Sequence, residues 1–175
     1  MDLLEFNEHN LYFDQPLPEG VEELLLEASD RGMDEEAELP LLRAFVQAPT
    51  HLTVLVALYR YYYYGHRLQE ALRVALQARQ AAGAELGFPG DWRALDMWYL
   101  SAGARRSLGL VRFYLLSLKA EGYLHLRLAQ YDDGRDKLQK VRDLDEADRL
   151  GAGALLAVIN GCNEVDMPQT KEAVG

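Results

Sequence analysis

The feature that most constrains this chain is a turn-plus-helix pattern that recurs at an interval of about 34 residues. The stretch GMDEEAELPLLRAFVQAP (32–49) aligns with GHRLQEALRVALQARQAA (65–82) once a one-residue slip in the turn is allowed, and 129–146 gives a weaker third copy. The small or apolar matching positions are Ala37, Leu41 and Ala44; Ala71, Ala75 and Ala78; and Gly134, Leu138 and Val141. Such units cannot bury their apolar faces alone, so neighbouring units are expected to stack.

The spacing of apolar residues predicts helices throughout the sequence, and no stretch alternates in the manner of a strand. Glycine and proline predict helix ends at Gly32, Pro49, Gly65 and Gly83. Later helices are predicted over 92–100, over 111–129, in the segment before Asp143 with the acidic pair Asp132-Asp133 near its turn, and over 148–159. The fold class is therefore predicted to be all-α.

The repeat resembles the tetratricopeptide repeat (TPR), a 34-residue helix-turn-helix with the pattern W-x2-L-G-x2-Y…A-x3-F…P. The frames are 18–51, 52–85 and 115–148, with 86–114 interpreted as an insertion. Further positions that carry the pattern are Val21, Leu24 and Pro49 in the first copy, Leu55, Leu58 and Tyr62 in the second, and Leu118 and Gly122 in the third. The resemblance implies about three antiparallel helix hairpins, with the helix at 148–160 capping the last of them.

The length of 175 residues suits one domain, which we place at 18–160. Residues 1–17 contain apolar side groups but no helical period, and are predicted to form an extension that packs on the domain. The polar stretch 161–175 is predicted to be a loose tail. In the insertion, the large apolar residues are interpreted mainly as core: Trp92, Trp98, Met97 and Phe113.

Charge and composition exclude several classes of function. The net charge of −10 disfavours nucleic-acid binding and docking on an anionic membrane, both of which need a basic surface. No apolar run approaches the ~20 residues of a membrane span, and the N-terminus lacks a signal-peptide pattern, so a cytoplasmic location is expected. The one cysteine, Cys162, cannot form an intrachain disulfide, and its role is left open.

No motif for catalysis is evident in the sequence. The four histidines lack the spacing of a metal site, and no glycine-rich stretch has the strand-loop-helix context of a phosphate loop. We therefore predict a protein that is not an enzyme and that needs no cofactor or metal.

In TPR-like arrays the first helix of each hairpin lines a concave groove. When the groove-lining positions of such arrays are transferred onto the repeat frames of this chain, the candidate partner-binding residues are Arg60, Tyr63, Tyr64, Lys119, Tyr123 and Arg127. Cations among tyrosines suit an acidic segment or a C-terminal carboxylate. Of the other tyrosines in YRYYYYGH (59–66), Tyr59 and Tyr62 are assigned to the packed faces and Tyr61 to the periphery. The alternative is that the insertion or the N-terminal segment fills the groove.

The segment FNEHNLYFDQPLPEG (6–20), followed by TPR-like hairpins, resembles small accessory proteins encoded beside bacterial nitrogen-fixation genes. This resemblance implies that the partner is a nitrogenase component or a maturation protein. The predicted function is a non-catalytic protein-interaction module: an adaptor, an assembly factor or a chaperone. The alternative is a structural subunit that forms a homo-oligomer through its helical faces, with the groove filled.

Overall fold

The computed structural model describes residues 15–165, which form eight α-helices and no β-strand. The helices are α1 (Val21–Arg31), α2 (Glu38–Gln47), α3 (Leu52–Tyr64), α4 (Leu68–Leu86), α5 (Met97–Arg106), α6 (Leu108–Arg127), α7 (Tyr131–Leu144) and α8 (Ala152–Val165). Short 3-10 helices, Glu35–Ala37 and Trp92–Ala94, precede α2 and α5. The all-α prediction is confirmed for this part of the protein.

Helices that are neighbours in the sequence pack against each other from α1 to α4, and α4 then packs directly on α6. α5 contacts α6 without separating it from α4, and α7 and α8 complete the series. The matching positions of the repeat are all buried: Ala37, Leu41, Ala44, Ala71, Ala75, Ala78, Gly134, Leu138 and Val141. The apolar face read from the sequence is therefore the face that each helix packs.

Two glycines allow α6 and α7 to approach closely. A Cβ added to Gly134 would lie 2.6 Å from Cδ2 of Leu126, and one added to Gly122 would lie 2.9 Å from Cγ of Leu138. Both distances are shorter than carbon atoms tolerate, so neither position has room for a larger residue unless the helices move apart. The repeat pattern places Gly122 at the small-residue position of the third copy, which agrees with this close approach.

Two helix ends differ from the sequence-based prediction. α4 continues through Gly83, which packs on Tyr114, and ends at Leu86. The next residue, Gly87, has a φ of +70° and forms a left-handed C-terminal cap. The predicted helix 92–100 is divided, because the Asp96 carboxylate accepts hydrogen bonds from the N–H groups of Trp98 and Tyr99 and so begins α5.

The third repeat and α8 also differ from the sequence-based prediction in where their helices begin, and the predicted terminal segments are described only in part. α6 begins at Leu108 and runs without a break across the predicted boundary between 114 and 115, and Asp132-Asp133 lies in the first turn of α7. α8 begins at Ala152, because Oδ1 of Asp148 accepts the N–H of Gly153 at 2.9 Å. Of the predicted extension, Leu17 packs on the core, whereas 1–14 and the tail residues 166–175 lie outside the described residues.

Candidate functional site

The five tyrosines of YRYYYYGH occupy the last two turns of α3 and differ in burial. Tyr59 is fully buried and Tyr62 is buried, as predicted, whereas Tyr63 is partly buried and Tyr64 is exposed. The assignment of Tyr61 to the periphery was wrong: its ring is buried and its hydroxyl donates to the backbone oxygen of Asp34 at 3.3 Å. Successive residues of a helix turn by ~100°, so one run of tyrosines serves both core and surface.

The C-terminal ends of α3 and α6 meet through tyrosine rings. The ring centroids of Tyr63 and Tyr123 lie 6.4 Å apart, and those of Tyr63 and Tyr64 lie 5.4 Å apart. Nη1 of Arg127 donates to the Tyr123 hydroxyl at 3.1 Å, and the Arg60 guanidinium lies 5.9 Å from the centre of the Tyr64 ring. We call these five residues the tyrosine edge.

Ionisation leaves the tyrosine edge cationic at neutral pH. Burial, together with the neighbouring Tyr123 hydroxyl, raises the pKa of Tyr63 to about 12, so Tyr63 stays neutral. The hydrogen bond to Tyr123 raises the pKa of Arg127 above its usual range, so this guanidinium stays charged. Arginines beside neutral tyrosine hydroxyls can recognise a carboxylate by charge and by hydrogen bonds.

Lys119, the sixth residue assigned to the groove, lies elsewhere. Its aliphatic stem and ammonium are buried, and the ammonium donates to the backbone oxygen of Leu150, in the connection between α7 and α8. The reason is that α4, α5 and α7 all pack on α6, which encloses the middle of that helix on several sides. The structure therefore brings together five of the six predicted residues and separates Lys119 from them.

A cavity of about 310 Å³ opens beside the tyrosine edge, between α1, α2 and α3. Its walls include Leu25, Met33 and Ala57, and Arg60 and Tyr64 line it as well. Two members of the edge therefore stand at a mainly apolar opening, where an apolar group of a partner could enter next to a guanidinium.

A buried ion pair that sequence reasoning missed joins α4 to α6. Nε of Arg79 lies 2.6 Å from Oε1 of Glu121, and Nη1 of Arg79 donates to the Tyr114 hydroxyl at 3.3 Å. Nζ of Lys137 on α7 approaches Oε2 of Glu121 at 3.9 Å. The sequence contains one signal of this pair, which is the glutamate that interrupts the apolar run of α6.

Burial dominates the electrostatics of this cluster. It raises the pKa of the Glu121 carboxyl, and the charges of Arg79 and Lys137 offset part of that rise. Burial lowers the pKa of Lys137, partly offset by Glu121. Oε2 of Glu121 has no hydrogen-bond partner among the described residues. The carboxylate is therefore held mainly through Oε1, which accepts the hydrogen bond from Arg79. The cluster links three helices and belongs to the core.

The large residues of the predicted insertion are divided between core and surface. Trp92 and Phe113 are buried, as expected. The assignments of Trp98 and Met97 to the core were wrong, because both residues lie on the open face of α5 and are 69% and 55% exposed.

Residues 15–165 contain neither a cluster of metal ligands nor a helix suited to span a bilayer. No group of three histidine, cysteine, aspartate or glutamate residues in this part of the protein is arranged to hold a metal ion. None of the helices described there combines the length and the apolar character needed to cross a lipid bilayer.

The chain is similar to an uncharacterized 19.8 kDa protein in the nifW 5′ region of Azotobacter chroococcum mcd 1. The two sequences are 45% identical over 159 residues, which cover 91% of this chain and 89% of that protein. No family model matches the sequence, and no solved structure matches it. The resemblance to proteins encoded near nitrogen-fixation genes is thereby confirmed, whereas the comparisons give no support to the TPR resemblance.

Proposed function

We propose that this chain, which belongs to the same family as the uncharacterized 19.8 kDa protein of the nifW 5′ region, is a nitrogen-fixation accessory protein that binds a partner at the tyrosine edge. In this proposal the protein acts in the cytoplasm as an adaptor, assembly factor or chaperone, without catalysis or a cofactor. The partner is a nitrogenase component or a protein of its maturation.

The observation that carries this proposal is the ordered aromatic surface where α3 and α6 meet. The Tyr63 ring stacks on the buried Tyr59 ring, with centroids 5.6 Å apart and planes inclined by 12°. Stacking on a core residue restricts the Tyr63 ring before a partner arrives, which lowers the entropy lost on binding. Tyrosine and arginine are also enriched among residues that dominate interface energies.

The chemistry of the edge favours a partner segment that carries a carboxylate next to an apolar group. Arg60 and Arg127 supply positive charge in a protein whose net charge is −10, and the cavity beside Arg60 offers an apolar opening. An acidic segment, or the C-terminal carboxylate of a partner with its last apolar residues, combines both properties. The packing of successive helices and the burial of the repeat positions support, within this proposal, a TPR-like arrangement that presents these residues.

The test is recovery of a partner from nitrogen-fixing cells by the tagged full-length protein, identified by mass spectrometry. We expect the double variant Arg60→Ala/Arg127→Ala to recover that partner at least about tenfold less than wild type, a loss of ~1.4 kcal/mol in binding. The matched control is Arg43→Ala/Arg73→Ala, which removes two exposed arginines from α2 and α4 that line neither the edge nor its cavity. Recovery of the same partner at wild-type level by the edge variant would contradict the proposal.

A structural subunit is the second candidate. In this candidate α8 would form the contact between copies, and Val158, which is 67% exposed on α8, would be covered by the second copy. Sedimentation velocity separates the two candidates. A stable dimer that Val158→Glu converts to monomer would support the subunit, and a wild-type monomer would count against it.

A further inference from the structure

Large apolar residues are exposed on α5 and at the start of α6. Met97, Trp98 and Leu108 are 55%, 69% and 62% exposed. The Trp98 ring packs edge-on against Tyr99, with centroids 4.9 Å apart, so it is held in place at the surface. Contiguous exposed residues of this size mark interaction sites more often than isolated ones do.

A cavity of about 350 Å³ lies next to these residues, between α5 and the connection from α7 to α8. Val111 and Leu115 of α6 line it together with Ala104 of α5 and Leu150 of the connection. We call this cavity, with Met97 and Leu108 at its edge, the α5 groove. Small residues such as Ala104 leave room for another backbone to approach.

Both sides of the α5 groove are fixed by capping hydrogen bonds. The Asp96 carboxylate holds the first turn of α5 by accepting from the N–H groups of Trp98 and Tyr99. On the other side, the N–H of Leu150 donates to Oδ2 of Asp145 at 2.7 Å. A site that is formed before binding avoids the entropy of ordering its walls.

Charge distinguishes this region from the rest of the protein. Residues 86–114 have a net charge of +2 within a total of −10, from Arg93, Arg105, Arg106 and Arg112 against Asp91 and Asp96. Arg112 and Arg149 line the groove itself. The Asp145 carboxylate, which also lines it, already accepts the N–H of Leu150. The connection 145–150 is acidic, with Asp145, Glu146 and Asp148 against Arg149. Among the residues that line the groove, however, two arginines stand against one aspartate, and this excess of one positive charge favours carboxylates in an occupant.

We propose that the α5 groove docks an acidic amphipathic segment of a partner protein, with apolar groups in the cavity and carboxylates beside Arg112 and Arg149. This second surface goes beyond the function proposed for the tyrosine edge. A second copy of the protein fits less well, because a two-fold interface uses the same surface twice and so brings a second set of the same arginines to it.

The experiment titrates the full-length protein with a synthetic acidic peptide of about four helical turns, with leucine and phenylalanine on one face and glutamate on the other. Fluorescence of the exposed Trp98 and calorimetry report binding. We expect a dissociation constant on the order of 10 µM, and at least tenfold weaker binding of the same peptide with each glutamate replaced by lysine.

Variants of the protein test whether the peptide binds in the α5 groove. Ala104→Trp, which fills an exposed position of the groove, and Arg112→Gln/Arg149→Gln should each weaken binding by about tenfold. The control Arg43→Gln/Arg73→Gln should bind as wild type does. Circular dichroism and the urea midpoint show that each variant folds.

Four results would overturn the proposal. The first is no binding at about 1 mM peptide, and the second is equal binding of the lysine peptide. The third is loss of binding in Arg60→Ala/Arg127→Ala with full binding in Ala104→Trp, which would place the peptide at the tyrosine edge. The fourth is a dimer of the full-length protein that Trp98→Ala dissolves, which would make a second copy the occupant. Because the peptide assay needs no native partner, failure of the α5 groove is distinguishable from failure of the tyrosine edge.

Discussion

Two arginine–tyrosine pairs in this molecule have nearly the same geometry and opposite surroundings. In the core, Nη1 of Arg79 donates to the Tyr114 hydroxyl at 3.3 Å and its guanidinium lies 5.7 Å from the ring centre. At the tyrosine edge, Nη1 of Arg127 donates to the Tyr123 hydroxyl at 3.1 Å, and its guanidinium lies 5.9 Å from the centre of that ring. Arg79 is buried against Glu121, whereas Arg127 is exposed. The comparison teaches that environment, rather than pair geometry, decides what such a pair contributes.

The physical difference is the solvent. In the core, removing one partner leaves an uncompensated charge away from water, which is strongly destabilising. At the surface, water replaces a lost partner, so an exposed pair contributes little to folding and its groups remain available to another molecule. We therefore expect the core pair to contribute to stability, and we propose recognition as the role of the edge pair.

The largest expected effect is that of breaking the buried ion pair. Glu121→Gln leaves Arg79 without its carboxylate and should lower the free energy of unfolding by about 3–5 kcal/mol. Urea denaturation followed by circular dichroism measures this loss, with Glu22→Gln as the control at an exposed glutamate of α1. The double variant Arg79→Met/Glu121→Leu should recover part of the stability, since it removes both charges of the pair and leaves only Lys137 without its nearby carboxylate. A loss below about 1 kcal/mol for Glu121→Gln would remove the proposed difference between core and edge.

A smaller effect separates the two tyrosines directly. Tyr114→Phe removes a buried acceptor of Arg79 and should lower the free energy of unfolding by about 1–2 kcal/mol. Tyr123→Phe makes the same chemical change at the edge, where water replaces the hydroxyl, and should cost less than about 0.5 kcal/mol. Equal losses in the two variants would show that burial does not distinguish the pairs.

A further expected effect appears only at alkaline pH and comes from tyrosine ionisation. Burial raises the pKa of Tyr62 and of Tyr63 to about 12, against about 10 for an unfolded tyrosine. The folded protein thus holds these two protons more tightly than the unfolded protein does. Stability from this source is complete below pH ~10 and is lost as pH rises through ~12.

The urea midpoint measured from about pH 9 to about pH 12 in steps, with tyrosinate absorbance recorded in parallel, tests this expectation. Tyr63→Phe should make the decline in midpoint shallower, because one of the protons linked to folding is gone. A midpoint that stays constant while the tyrosines ionise would refute the assignment of Tyr62 and Tyr63 as tightly protonated.

The sequence predicted those features that depend on local pattern. Apolar spacing identified the helices and the buried repeat positions such as Ala71 and Leu138, because helical period alone decides which face is apolar. The repeat register also predicted that Tyr63, Tyr64, Tyr123, Arg60 and Arg127 share one surface. These five side chains do lie together where α3 and α6 end.

The features that the sequence did not predict depend on which helices meet. Lys119 and Tyr61 were misplaced because their burial is set by α7, the α7–α8 connection and the segment around Asp34, which no local period reveals. The pair of Arg79 with Glu121 joins residues 42 positions apart, and the exposure of Trp98 follows from how α5 lies on α6. Residue type alone favoured the opposite assignment for that tryptophan.

The most direct test of the assigned roles measures stability and partner binding in the same variant, Arg60→Ala/Arg127→Ala. We predict a urea midpoint equal to that of wild type together with at least an approximately tenfold loss of the partner recovered from nitrogen-fixing cells. A lowered midpoint with partner recovery unchanged would contradict the central claim, because it would make Arg60 and Arg127 part of the scaffold and not of the recognition surface.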